Sequence, residues 1–112
     1  MNNLGSTVEW GPFQLRLDEG LVLVNGVRCD LTRMQERLLK RLIRSAGSIV
    51  TNDDLWVEFG VSGAMNPGNI RVHIHALRQR LGRDGSLITT FPSLGYGLGV
   101  APERAAQSAS HR

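Results

Sequence analysis

Apolar and polar residues alternate over Phe13-Gln14-Leu15-Arg16-Leu17, the period-two pattern of a half-buried strand. Asp18-Glu19-Gly20 reads as a short turn, and Leu21-Val22-Leu23-Val24 is a second β-prone run. Asn25-Gly26 follows, and then Val27-Arg28-Cys29-Asp30-Leu31 alternates again. Asn-Gly between two such runs marks a hairpin, because both central residues of a type I′ turn take positive φ. Residues 8–31 therefore read as a small antiparallel meander, with Cys29 on its apolar face beside Val27 and Leu31.

The period then becomes helical. Thr32-Arg33-Met34-Gln35 has the form of a capping box, with Thr32 as N-cap and Gln35 reaching back. Leu38, Leu39, Leu42, Ile43 and Ala46 form an apolar stripe at helical spacing, and Gly47 is a natural stop. Ile49-Val50 reads as a short apolar link. Thr51 caps a second helix over 52–59, whose acidic start (Asp53, Asp54) suits the helix dipole. Residues 60–68 read as a loop rich in Gly, Ser, Asn and Pro. A third helix is expected from about Pro67–Asn69 to Leu81, with Gly82 after it, then a turn at Arg83-Asp84-Gly85. Residues 87–91 and 96–100 flank Pro92-Ser93-Leu94-Gly95 and predict a second hairpin. The aperiodic tail 101–112 and residues 1–6 are expected to be loose, leaving 7–100 as one folded unit.

On a helical wheel at ~100° per residue, Ile70, Ile74, Leu77 and Leu81 fall within roughly 60° of one another. These four define the core face of the third helix. Its opposite face holds Gly68, Val72, His75, Ala76 and Gln79, with Arg71 and Arg78 on one flank and His73 and Arg80 on the other. Small and neutral residues thus hold the outward centre while donors and cations hold the edges. A helix lying in a DNA major groove needs that layout, with base edges below its centre and phosphates along its sides. A solvated amphipathic helix is the plainer alternative, but such surfaces mix charge signs, and no Asp or Glu occurs from Gly68 to Arg83.

The charge distribution agrees. The 112 residues carry 13 Lys+Arg against 10 Asp+Glu, a formal net charge of +3. Residues 1–31 are mildly acidic, whereas 67–100 hold Arg71, Arg78, Arg80 and Arg83 against the single acid Asp84. With 41% hydrophobic and 21% charged residues, most of the chain is expected to fold. No apolar run approaches the ~20 residues of a membrane span, and the N-terminus lacks the form of a signal peptide. The single cysteine, Cys29, rules out a disulfide framework and fits a cytoplasmic setting and a buried structural thiol.

His73 and His75, two apart on a helix, point about 200° from each other and cannot share a metal ion. No phosphate-binding loop, nucleophile elbow or dinucleotide fingerprint is present, and Gly95–Gly99 lies on a strand. Neither a cofactor nor an enzymatic activity is therefore expected.

Strands, three helices and a hairpin in this order describe a winged helix-turn-helix. The chain resembles the effector domain of OmpR/PhoB-type response regulators. The matching stretches are Phe13-Gln14-Leu15-Arg16-Leu17-Asp18, Val24-Asn25-Gly26, Leu31-Thr32 with Glu36 and Leu38-Leu39, and Gly47-Ser48-Ile49-Val50-Thr51. Asp54-Leu55-Trp56, Val72-His73-Ile74-His75-Ala76-Leu77-Arg78-Gln79-Arg80-Leu81, and Ile88-Thr89-Thr90 with Gly95-Tyr96-Gly97-Leu98 continue the match over residues 8–100.

The resemblance implies an α+β winged helix: a four-stranded antiparallel N-terminal sheet, three helices and a C-terminal β-hairpin wing. It implies sequence-specific binding of double-stranded DNA, with the third helix in the major groove and the wing near the minor groove. His73, Arg78 and Thr90 match positions that contact the DNA backbone. Val72, His75 and Ala76 match positions facing bases or nearby phosphates. Asn69, Arg71, Gln79 and Arg80 complete the candidate DNA-binding set. The stretch 58–67 matches a loop that touches RNA polymerase in some relatives, and relatives pair on direct-repeat DNA. Three departures are notable. Arg71 stands where the family often has Asp. His75 and Ala76 replace frequent arginines. The wing reads Pro92-Ser93-Leu94-Gly95-Tyr96 in place of Arg-Gly-x-Gly-Tyr. These losses leave a second reading, a winged-helix protein-interaction module with weak DNA binding. The family's phosphoacceptor receiver is not among these residues.

Overall fold

A computed structural model describes residues 6–60 and 69–100. The expected features at residues 1–5, in the 61–68 part of the central loop and in the tail 101–112 lie outside the described residues.

The chain opens with four short strands, β1 (Thr7–Trp10), β2 (Phe13–Arg16), β3 (Leu21–Val24) and β4 (Val27–Arg28), paired antiparallel in sequence order. Register places Val8 opposite Leu15 and Leu15 opposite Val22, so alternate residues of each strand reach one inner face. Phe13, Leu15 and Val22 are buried there, and Trp10 stacks on Phe13 with ring centroids 6.3 Å apart. Asn25 and Gly26 take φ of 54° and 80°, the two positive values that the hairpin reading requires.

The last strand is shorter than its alternation predicts. β4 ends at Arg28, and Val27 lies on the sheet edge at 68% exposure rather than beside a buried Cys29. The chain leaves the ladder because it must turn into the next helix. Cys29 still donates its backbone N–H to the Val22 carbonyl at 2.8 Å, and it packs half-buried against the core with Leu31.

Helix α1 (Arg33–Arg44) starts at the expected box. The Gln35 N–H donates to Thr32 Oγ1 at 3.1 Å, and the Thr32 N–H donates to Gln35 Oε1 at 2.9 Å. This reciprocal pair also gives a partner to Oε1 of Gln35, the one buried polar side chain among the described residues. Leu38, Leu39, Leu42 and Ile43 enter the core as the stripe predicts. Each such burial removes roughly 1.5–3 kcal/mol worth of apolar surface from water.

The apolar link at Val50 is a strand. β5 (Val50–Thr51) pairs with β7 (Gly95–Leu98), which pairs with β6 (Ile88–Phe91), giving a three-stranded sheet in the order β5-β7-β6. Gly95 is essential to this junction. A Cβ there would collide with the Val50 carbonyl and lie 2.8 Å from Thr51 Cα. The glycine-rich run is thus close backbone packing.

Helix α2 is regular over Asn52–Leu55 only, capped by Thr51, and continues as a wide π turn through Trp56–Gly60. The predicted helix to residue 59 is therefore helical throughout but changes its pitch. The wide turn buries Phe59 fully, sets Arg37 5.1 Å from its ring centre, and brings Glu58 to Arg41 as an ion pair.

Helix α3 spans Ile70–Leu81 and stops at Gly82, whose φ is 69°. A 3₁₀ segment, Gly82–Leu87, replaces the simple turn expected there. Ile70, Ile74, Leu77 and Leu81 are all buried, as the wheel requires, and pack against α1 and the sheets in one core.

Candidate nucleic-acid interface

Burying one side of α3 fixes what the other side shows. Asn69, Arg71, Val72, His75 and Gln79 are exposed, and Val72 is 62% accessible. His73, Ala76 and Arg78 are half-buried. Arg71, Val72 and His75 line a shallow hollow together with Arg78, Thr90 and Tyr96. The structure thus joins the first two turns of α3 to the hairpin in one concave surface, which the linear sequence does not show.

Arg78 makes that joint. Its Nε and Nη2 donate to the Ile88 carbonyl at 3.2 and 2.7 Å, and Nη2 donates to Thr90 Oγ1 at 2.6 Å. Its guanidinium carbon also lies 5.9 Å from the centre of the Tyr96 ring. A planar fork is suited to such multipoint capture, and an ammonium could not reproduce it. Arg78 therefore sets the angle between α3 and the wing while keeping its charge at the rim of the hollow.

Arg80 is placed elsewhere. Its Nε and Nη2 donate to the Asp30 carbonyl at 3.0 and 2.8 Å, beyond β4. The Cys29 thiol donates to the Arg80 carbonyl at 3.3 Å, and Asn25 Nδ2 donates to Asp84 at 2.8 Å. Arg80 thus belongs to a seam that fastens the C-terminal end of α3 to the four-stranded sheet. Burial raises the Cys29 thiol above its ordinary value, with the Arg80 charge acting in the opposite sense. The helical wheel sets Arg78 and Arg80 on opposite flanks of the outward face, but nothing in the sequence names the carbonyl that each one meets.

A neighbouring hollow lies between Arg71 and the wing. Arg71 lines it with Thr90, Pro92 and Ser93, and Asn52, Asp53 and Trp56 form its far wall. The cation absent from the wing at Pro92 and the cation gained at Arg71 border the same space. His73 and His75 lie on different sides of α3, and no cluster of metal-ligating side chains occurs among the described residues. No helix among them is long and apolar enough to cross a membrane.

A two-sheet, three-helix unit with an exposed, acid-free third helix beside a hairpin is a winged-helix DNA-binding domain. The family described as "Transcriptional regulatory protein, C terminal" matches residues 26–98. The chain belongs to this family, as an OmpR/PhoB-type effector domain that binds DNA. It is 33% identical over 88 residues to the response regulator protein PmrA of Pseudomonas aeruginosa, covering 76% of this chain and 39% of PmrA. It therefore spans about two fifths of that relative's length. Among solved structures it resembles DrrB, a Thermotoga maritima OmpR/PhoB homolog, with TM-score 0.71 and 22% identity over 83% of this chain and 44% of DrrB. The C-terminal effector domain of BfmR from Acinetobacter baumannii superposes with TM-score 0.67 at 23% identity, covering 89% of this chain and 96% of that domain.

Proposed function

We propose that this domain reads double-stranded DNA in a sequence-specific manner, with α3 in the major groove and the β6–β7 wing beside the adjacent minor groove. The observation that carries this reading is the concave surface shared by Arg71, Val72, His75, Arg78 and Thr90, with no carboxylate among its lining residues. Val72 can meet a thymine methyl, and His75 and Gln79 can hydrogen-bond base edges. Arg71, His73 and Thr90 serve phosphates along the rim. Arg78 has two tasks, since its carbonyl and hydroxyl bonds hold the wing while its charge faces the backbone. Arg71 supplies beside the wing the positive charge that Pro92 does not. Arg80, tied to the Asp30 carbonyl, has the weakest claim to a DNA contact.

The wider assignment follows the family: a cytoplasmic regulator that pairs on direct-repeat DNA and contacts RNA polymerase through residues 58–67. Of that stretch, Glu58 and Phe59 are held to α1 through Arg41 and Arg37. Selection of bound duplexes from a random pool tests the reading. It is expected to return a defined half-site, and a spaced repeat if two copies pair. Affinity should fall with salt with a log–log slope of roughly −0.9 per phosphate neutralised. A pool that enriches nothing at low salt would overturn sequence-specific reading and favour the protein-interaction module.

A further inference from the structure

A second cationic surface lies on α1, outside the proposed DNA interface. On the helical wheel, Arg33, Arg37, Lys40 and Arg44 fall within about 60° of one another, forming a ridge roughly 16 Å long. Arg33, Arg37 and Arg44 are exposed, and Lys40 is half-buried. None of the four has a carboxylate partner within 4.0 Å among the described residues, whereas Arg41, one step round the helix, is paired with Glu58.

This ridge works against the helix that carries it. Arg33 sits in the first turn, near the positive end of the dipole, where cations are unfavourable. Arg33–Arg37 and Lys40–Arg44 are like-charge pairs at i,i+4 and Arg37–Lys40 is one at i,i+3, and Glu36, at i,i+3 from Arg33 and i,i+4 from Lys40, is the single acid set against these four cations on the helix. A solvated face needs no such arrangement, and an external anion would relieve it.

Beside the ridge, the turn after β2 and the first half of α1 enclose a shallow hollow. Leu17, Gly20, Arg33, Glu36, Arg37 and Lys40 line it. Its mixed lining identifies the anion. A phosphate chain would be repelled by Glu36 and would gain nothing from Leu17. A protein segment can use both, placing an apolar side chain on Leu17, a donor near Glu36 and carboxylates along the arginines, which take carboxylates bidentately. Because α1 and α3 pack through their buried faces, a duplex seated on α3 leaves this ridge open.

We infer that the α1 ridge and its hollow dock an acidic, amphipathic segment of a partner protein while DNA is bound. The test titrates isotope-labelled protein with two synthetic peptides of equal charge, one of Glu and Leu with an apolar helical face, the other of Glu and Gly. Inorganic polyphosphate and a short duplex are the remaining probes. The Glu-Leu peptide should shift resonances of residues 33–44 and Leu17 and bind about tenfold more tightly than the Glu-Gly peptide. The triple variant Arg33→Gln, Lys40→Gln, Arg44→Gln should lose that binding, keep its DNA affinity, and melt at the same or a higher temperature. Polyphosphate or duplex shifting α1 at lower concentrations than the Glu-Leu peptide would overturn the inference in favour of a phosphate site. Equal binding of the two peptides, or no shift on α1, would overturn it as well. A lowered melting temperature of the variant would show that the ridge serves the helix itself.

Discussion

Helices α1 and α3 share one core and both expose cations, yet they use them in opposite ways. On α3 two of the three arginines are engaged. Arg78 grips the Ile88 carbonyl and Thr90, and Arg80 grips the Asp30 carbonyl. The exposed centre between them is left to Val72, His75 and Gln79, which can distinguish base edges. On α1 the four cations of the ridge have no carboxylate partner among the described residues, Arg37 alone lying over the Phe59 ring, and no neutral centre separates them. The first arrangement is rigid and suited to reading. The second is an unsatisfied electrostatic surface suited to attraction. Positive charge on the two helices thus carries different functional content, and the difference lies in what each cation is bonded to.

Substitutions at six positions probe that contrast. The largest effect is expected from Leu77→Ala in the core common to both helices. Leu77 is fully buried, so the cavity should cost about 2–5 kcal/mol. Denaturant melts should show this loss, and both surfaces should fail together. Arg78→Ala comes next, because it leaves the Ile88 carbonyl and Thr90 without their donor. Stability should drop by about 1–3 kcal/mol, and affinity should fall for all duplexes alike. Arg78→Lys should recover part of the affinity and little of the stability. If lysine restores both, Arg78 acts only as a charge.

His75→Ala or Gln79→Ala should leave the melting curve within about 0.5 kcal/mol of the parent. Competition between duplexes should instead reveal a change of about 1–3 kcal/mol confined to one or two base pairs. A uniform loss across sequences would assign these side chains to the backbone rather than to bases. The smallest effect is expected from Arg44→Gln, which removes the Lys40–Arg44 repulsion but also a favourable charge at the helix C-terminus. These terms oppose each other at a few tenths of a kcal/mol. Arg33→Gln, at the N-terminal end, relieves both terms at once and should raise the melting temperature more than Arg44→Gln does.

Much of the architecture was legible because it depends on local chemistry. The Thr32 capping box, the Asn25-Gly26 turn and the buried stripe of α3 each follow from residues a few positions apart. Misreadings arose where a distant partner decided the outcome. Val50-Thr51 is too short to declare itself a strand, and it becomes one only because β7 arrives beside it with Gly95 at the contact. Val27 carries the period of a buried strand but ends on the exposed edge of the four-stranded sheet. The wide turn at Trp56–Gly60 answers to Arg37 and Arg41 on α1, which local propensity does not include.

The same division holds for the candidate site. Periodicity alone determined which residues of α3 face outward, because burying Ile70, Ile74, Leu77 and Leu81 leaves no other choice for their neighbours. Only the tertiary structure decided the fate of the arginines. Arg78 and Arg80 are two residues apart and chemically identical, yet one binds the wing and the other the N-terminal sheet. Helical geometry sends successive flanks toward different neighbours, and a guanidinium takes its role from whichever carbonyl the fold brings within reach.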